Sequence, residues 1–198
     1  MHKNSGDQTL KLAFGGMMAA LVFVATYFFK LPVSITQGYI HLGDGFILLG
    51  ASLLGWASVP AAAIGSALAD LLGGYTLYIL PTFVIKGLVA ALAVYALRAG
   101  RPYWLTVVLL AVAEGVMVAG YFVTEWLLLG YGLAAAAGAV VPNLVQGLSG
   151  VVLGVVLMQL IMSGMTFLGI SGNTTYIIKG LVILIACAID MRKYLTKK

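Results

Sequence analysis

The stretch Leu10–Phe29, LKLAFGGMMAALVFVATYFF, sets the class of this protein. Its one charged residue, Lys11, sits at the very start. A helix of ~20 apolar residues spans the hydrocarbon core of a bilayer. Runs of the same kind fill most of the remaining chain. Of the 198 residues, 62% are hydrophobic and 9% charged, and the mean hydropathy is +1.08. A soluble domain is nearer ~45–50% apolar and ~25% charged. These residues cannot supply a polar shell, which excludes a soluble globular enzyme, a disordered region and a disulfide scaffold. The length allows about six or seven crossings and no separate soluble domain.

The reading is an all-α integral membrane protein, a six-transmembrane-helix bundle followed by a C-terminal hydrophobic segment of uncertain topology. After the first span comes a loop with Pro32 and the polar stretch SITQGYIHLGD. Helix 2 is expected over Gly43–Ala57, and Pro60 opens helix 3, which ends near Gly73-Gly74. Pro81 suits the first turn of helix 4, which runs to Arg98. Helix 5 covers Trp104–Leu129 and helix 6 Ala139–Leu160. Helices 2 and 3 are short for a crossing and either tilt or sit inside the bundle. The polar N-terminus runs into the first span without a small-residue cleavage site, so it reads as an uncleaved span and not a signal peptide.

The net charge of +5 is spread over helix ends and does not gather into a nucleic-acid-binding face. Lys3 and Lys11 place the N-terminus inside, and Arg98 with Arg101 place the helix 4–5 turn inside, both consistent with a plasma-membrane protein whose N-terminus is cytoplasmic. Lys30 dissents on the outer side. The run Tyr176–Ile189 carries Lys179 and is too short to span well; a seventh crossing would put Arg192, Lys193, Lys197 and Lys198 outside. It lies in the interface or pairs with Ile161–Leu168. The lone Cys187 forms no internal disulfide.

Ionisable groups inside a membrane cost ~2.5–3.5 kcal/mol each on insertion scales, so each is a functional hypothesis. With this topology Asp44, Asp70, Lys86, Glu125, Asn143 and Gln146 share the outer half of the bundle, and only Glu114 lies near the midplane. The bland readings stand beside this. Asp44 could cap helix 2 and Asn143, after Pro142, could cap helix 6. Asp70 and Lys86 could form an internal ion pair, and Glu125 could reach interfacial water. The loop adds Gln37, Tyr39 and His41 on the same side, with Tyr75, Tyr78, Tyr121, Trp126 and Tyr131 nearby. These aromatics read either as a membrane belt or as a pocket that stacks a flat heteroaromatic ligand. In helix 1, Gly15 with Ala19 and Gly16 with Ala20 form two small-x-x-x-small pairs suited to close helix approach.

The segments Gly38–Gly50 (GYIHLGDGFILLG), Gly65–Tyr75 (GSALADLLGGY), Pro81–Gly87 (PTFVIKG), Glu125-Trp126 and Pro142–Gly150 (PNLVQGLSG) resemble the substrate-binding S components of energy-coupling factor transporters. The resemblance covers about residues 8–160. It implies high-affinity capture of a vitamin or related micronutrient from outside, hydroxymethylpyrimidine or pyridoxine-like before riboflavin. It further implies docking through Gly15, Gly16, Ala19 and Ala20 on a membrane coupling subunit attached to two cytoplasmic ATPases. The implied substrate-binding set is Tyr39, His41, Asp44, Asp70, Lys86, Glu125, Asn143 and Gln146. Residues 161–198 instead resemble the extreme C-terminus of a sugar-type ABC permease, over about forty residues, as a fusion, a recombined gene or an artificial joining would give. This divides the chain into a membrane domain, 1–160, and a permease-like segment, 161–198.

No phosphate-binding loop of the Walker type is present in the sequence, so ATP would be used only by partner ATPases and no intrinsic cofactor or metal is expected. A self-sufficient secondary transporter, with Glu114 carrying a proton, is the alternative. An intramembrane aspartyl protease using Asp44 and Asp70 is a remote one. A serine protease lacks a base, because the histidines, His2 and His41, lie outside the helices.

Overall fold

The computed structural model describes residues 5–33 and 38–169. His2, Lys3, Gln37, Lys179, Cys187, the run Tyr176–Ile189 and the basic tail lie outside the described residues. Six α-helices form one bundle: α1 (Ser5–Phe28), α2 (Gly43–Leu54), α3 (Ser58–Gly73), α4 (Ile79–Ala96), α5 (Tyr103–Val123) and α6 (Leu133–Phe167). By length and apolarity five stretches are able to cross a membrane, and one of them, Gly43–Gly73, contains both α2 and α3. The chain is therefore an all-α, multi-pass membrane protein.

α2 has 12 residues and α3 has 16, which at 1.5 Å per residue is about 18 and 24 Å. Between them the chain turns through Gly55, at φ +55°. The first turn of α2 and the last turn of α3 return to the same place. The Gly43 N–H donates to His41 Nδ1 at 3.0 Å, and Tyr39, two residues before His41, donates to Asp70 at 2.6 Å. α3 ends because Gly74 adopts φ +82°, a left-handed conformation that costs glycine little. The Tyr75 N–H then donates to the Asp70 carbonyl at 2.8 Å, which fixes that last turn.

The loop expected after α1 contains a β-hairpin. Strands β1 (Lys30–Val33) and β2 (Gly38–His41) pair antiparallel, with Lys30 opposite His41 and Val33 opposite Gly38. Period-2 alternation is invisible in strands of four residues, and Pro32 argues against a strand. Pro32 is tolerated because a two-stranded ribbon is all edge.

α6 begins six residues before the expected Ala139, so Pro142 and Asn143 lie inside the helix and Asn143 is not its cap. α6 also continues unbroken through residue 160 to Phe167, so Ile161–Phe167 belongs to that helix. α5 ends in a π-helical turn, Thr124–Leu128, where a straight helix was expected.

The apolar core is built from Met18 and Val22 of α1, Leu48 of α2, Val89 of α4, and Leu110 and Met117 of α5. Glycines set how closely α2 and α6 approach. A Cβ on Gly150 would lie 2.8 Å from Asp44 Cβ, and one on Gly154 would lie 2.9 Å from Leu48 Cβ. This Gly-x-x-x-Gly pair brings the polar faces of the two helices into contact.

Candidate functional site: a polar cavity under the hairpin

Tyr78 at the N-cap of α4, with Thr82 and Lys86 inside it, follow at intervals of four, so all three line one helix face. Lys86 is fully buried and reaches Asp44 Oδ1 at 2.6 Å. The second oxygen of Asp44 accepts from Gln146 Nε2 at 2.7 Å, and Gln146 Oε1 accepts from the His41 backbone N–H at 3.0 Å. The N-cap position of α2 is Leu42, so Asp44 is not the cap of its helix. Its carboxylate instead joins α2 to α4 and α6, and through Gln146 to β2. The ion pair of Lys86 is with Asp44, not Asp70.

Above this layer is a cavity lined by residues of β2 and all of α3 to α6, among them Tyr39, Asp70, Thr82, Tyr121, Glu125 and Asn143. Its free volume is about 30 Å³, room for a water or two and not for a heteroaromatic ring. The hairpin strands cover one side of it, through Val33, Gly38, Tyr39 and His41. The Tyr39 hydroxyl donates to Asp70 Oδ1 at 2.6 Å, and its ring packs on Tyr75 at 4.5 Å between centroids. Burial and the neighbouring Asp70 carboxylate push the Tyr39 phenol far up, which keeps its O–H available as a donor. His41 is 7% exposed. Burial, and the Lys86 charge after it, push its imidazole from 6.5 down to about 3, against the opposing pull of Asp44. The neutral ring accepts from Gly43 through Nδ1.

Glu125 is placed by the π-helical turn. Leu129 N–H reaches back to the Thr124 carbonyl and Tyr131 N–H to the Glu125 carbonyl, which turns Glu125 inward. Glu125 is 3% exposed, and Oε1 accepts from Tyr78 at 3.1 Å. It does not reach interfacial water. Such π turns recur at functional sites. Thr82 and Tyr121 pair at 3.0 Å across the floor.

Six of the eight candidate binding residues thus line the cavity: Tyr39, His41, Asp70, Glu125, Asn143 and Gln146. Asp44 and Lys86 stand behind it and brace Gln146. Glu114 is buried against Gly147 of α6, and neither carboxylate oxygen has a hydrogen-bond partner among the described residues. Trp126 is 40% exposed, packs on Phe122 and does not line the cavity. Sequence reasoning missed Thr82, although its place midway between Tyr78 and Lys86 on α4 was a usable signal. Asp44 and Asp70 share no hydrogen bond and hold different partners, so an aspartyl protease pair is not assembled.

The small residues of α1 divide into two sets. A Cβ on Gly65 of α3 would lie 2.4 Å from the Ala19 carbonyl, and one on Gly15 would lie 3.8 Å from the Ala57 carbonyl. Gly15 and Ala19 therefore face α3 and the turn before it. Among the described residues Gly16 has nothing within 4 Å of such a Cβ, and Gly16 and Ala20 are exposed.

A family sequence model described as "ECF-type riboflavin transporter, S component" matches residues 6–163. The chain belongs to this family of S components. Its fold agrees: a solved chain titled "Structure and mechanism of the S component of a bacterial ECF transporter" superposes with a TM-score of 0.67. That likeness covers 80% of this chain and 98% of the other, at 19% identity. An uncharacterised Pyrococcus woesei protein is 33% identical over 134 residues, 67% of this chain and 88% of that protein. The galactose/methyl galactoside import permease protein MglC of Escherichia coli K12 is 32% identical over 178 residues. That alignment takes in 84% of this S component, so it is not confined to the last forty residues. This chain spans about half of MglC, 53% of its length.

Proposed function

We propose that this S component captures a vitamin or related micronutrient at the outer face of the cell membrane and delivers it to an ATP-driven energy-coupling factor transporter. The observation that carries this reading is the polar cavity under the β1–β2 hairpin, walled by Tyr39, Asp70, Tyr121, Glu125, Asn143 and Gln146. A deep site with aromatic walls and a few placed polar groups is what a small heteroaromatic ligand needs. In this reading the hairpin lifts, the ligand enters, and Tyr39 and His41 close over it.

The α2–α3 return counts as two crossings, giving six in all. Lys11 and the Arg98–Arg101 turn then share the cytoplasmic side with the N-terminus. The cavity lies toward the outside. Hydroxymethylpyrimidine or pyridoxine-like ligands are favoured over riboflavin because a single ring asks less expansion of so small a cavity. Gly16 and Ala20 present the docking face for a membrane coupling subunit, whose two ATPases supply the energy; the S component binds and does not transform its ligand. Residues 1–160 form the capture domain and 161–198 extend it, with α6 running across that boundary.

The test is mass spectrometry of small molecules released when the purified, detergent-solubilised chain is denatured. A stoichiometric heteroaromatic compound is expected. Unchanged affinity in a folded Glu125→Ala/Asn143→Ala double variant would overturn the site. Buried Glu114 favours a second reading, a self-sufficient proton-coupled carrier. Uptake by cells lacking any coupling subunit would decide for it.

A further inference from the structure

We propose that the cavity selects a nitrogenous base with several N–H donors, neutral or cationic, and rejects anionic forms of the same ring, with Asp70 taking the ligand's donors in place of Tyr39. This deepens the capture reading and rests on it. The wall carries two carboxylates, Asp70 and Glu125, and neither lysine nor arginine. Lys86, the buried cation nearest this region, is held at 2.6 Å by Asp44 and lies outside the wall. Lys30 is outside it too, held over the rings of Tyr27, Tyr75 and Tyr39 at 4.5, 5.3 and 5.6 Å from their centroids. His41 is uncharged, as its low pKa requires.

Asp70 supplies the second, independent sign of a ligand. It is 2% exposed, and Oδ2 has no hydrogen-bond partner among the described residues. Buried acceptors are seldom left unpaired, and one on a cavity wall is a vacancy for a donor. The nearby Thr82 hydroxyl is shared with Tyr121. Among the described residues Oδ1 accepts from the Tyr39 hydroxyl, which comes from the hairpin that must move for anything to enter. When the hairpin lifts, Oδ1 is released from Tyr39 and joins Oδ2 as an acceptor for the ligand. An amino-substituted ring nitrogen or an aminomethyl group offers the paired N–H donors that fill them, and charge-assisted bonds of this kind are about twice as strong as neutral ones. A phosphate ester or carboxylate on the same ring would bring a like charge into a desolvated site with no cation to receive it.

The experiment is equilibrium binding to the full chain in lipid nanodiscs, with matched probes. Pyridoxamine is set against 4-pyridoxic acid, and 4-amino-5-hydroxymethyl-2-methylpyrimidine against its phosphate monoester; riboflavin is the neutral, non-basic control. At least one base is expected to bind, with its anionic partner weaker by ~100-fold or more. Asp70→Asn is expected to shrink that ratio by ~10-fold or more, because charge and not shape sets it. Glu125→Gln tests the second carboxylate in the same way, and each ratio is internally normalised against partial misfolding. Equal binding within a pair, preference for the anion, or binding of riboflavin alone would overturn base selection and leave capture standing. No binding by any probe, with no compound released on denaturation of folded protein, would overturn capture and this inference together.

Discussion

The Lys86 ammonium and the Asp44 carboxylate meet at 2.6 Å with no exposed surface on either side chain. The pair ties α4 to α2, and Gln146 extends it to α6 and to the hairpin backbone. Breaking a buried pair from one side leaves the other charge uncompensated, at a cost of about 3–5 kcal/mol, whereas replacing both with apolar groups is often neutral. Lys86→Met and Asp44→Leu are each expected to lower the thermal midpoint sharply, and the double variant to recover most of the loss. Thermal unfolding in one detergent measures all three. A double variant as unstable as the worse single one would show that the pair is not the source of the loss.

Tyr39 holds the hairpin shut through one hydrogen bond to a carboxylate and one ring contact on Tyr75. Tyr39→Phe removes the first and keeps the second. A hydrogen bond to a charged group contributes about 1.5–3 kcal/mol net, so the open hairpin should become at least ~10-fold more populated. The expected result is a faster ligand association rate in stopped-flow measurement with little change in thermal midpoint. An unchanged rate would mean that the hairpin is not latched at Asp70.

His41 is neutral in the fold because burial, then Lys86, lower its pKa from 6.5 to about 3. Between those values the unfolded chain binds a proton that the folded chain refuses. Stability is therefore full above pH ~6.5 and falls as pH drops toward ~3, by at most about 1.4 kcal/mol per pH unit. Protonation also removes the Nδ1 acceptor used by Gly43. Thermal midpoints between pH 7 and pH 4 should fall more steeply in the wild type than in His41→Gln. Parallel slopes would place the acid sensitivity elsewhere.

Much of this arrangement was legible in the sequence, for a physical reason. Polar residues in an apolar chain are expensive, so Asp44, Asp70, Lys86, Glu125, Asn143 and Gln146 stood out as candidates, and the fold buries all six. Their pairing was not legible. Lys86 had two carboxylates to choose from, and the close α2–α6 approach decides for Asp44 through Gly150 and Gly154, which look ordinary in a glycine-rich chain. The hairpin was hidden because four-residue strands carry no readable period and one contains Pro32. The π turn that aims Glu125 inward leaves no mark in composition. Asn143 looked like a cap because Pro142 usually marks a helix start, yet α6 carries that proline in its interior.

The small residues of α1 make the sharpest contrast between packing and partner contact. Gly65→Ala would drive a Cβ to 2.4 Å from the Ala19 carbonyl, a backbone atom that cannot rotate away. α1 and α3 would have to separate, so a loss of several kcal/mol in stability is expected, at or above the ~1–3 kcal/mol typical of overpacking. Gly16 meets nothing among the described residues of the S component. Gly16→Leu should leave the thermal midpoint and ligand affinity within the ±0.5 kcal/mol usual for surface changes, since lipid accepts leucine freely. If α1 docks on a coupling subunit through Gly16 and Ala20, the same substitution blocks close helix approach and abolishes co-purification with that subunit. Ligand binding retained without docking is the expected pattern, measured on one preparation by affinity capture and binding titration. Intact co-purification would move the docking face to another part of the bundle.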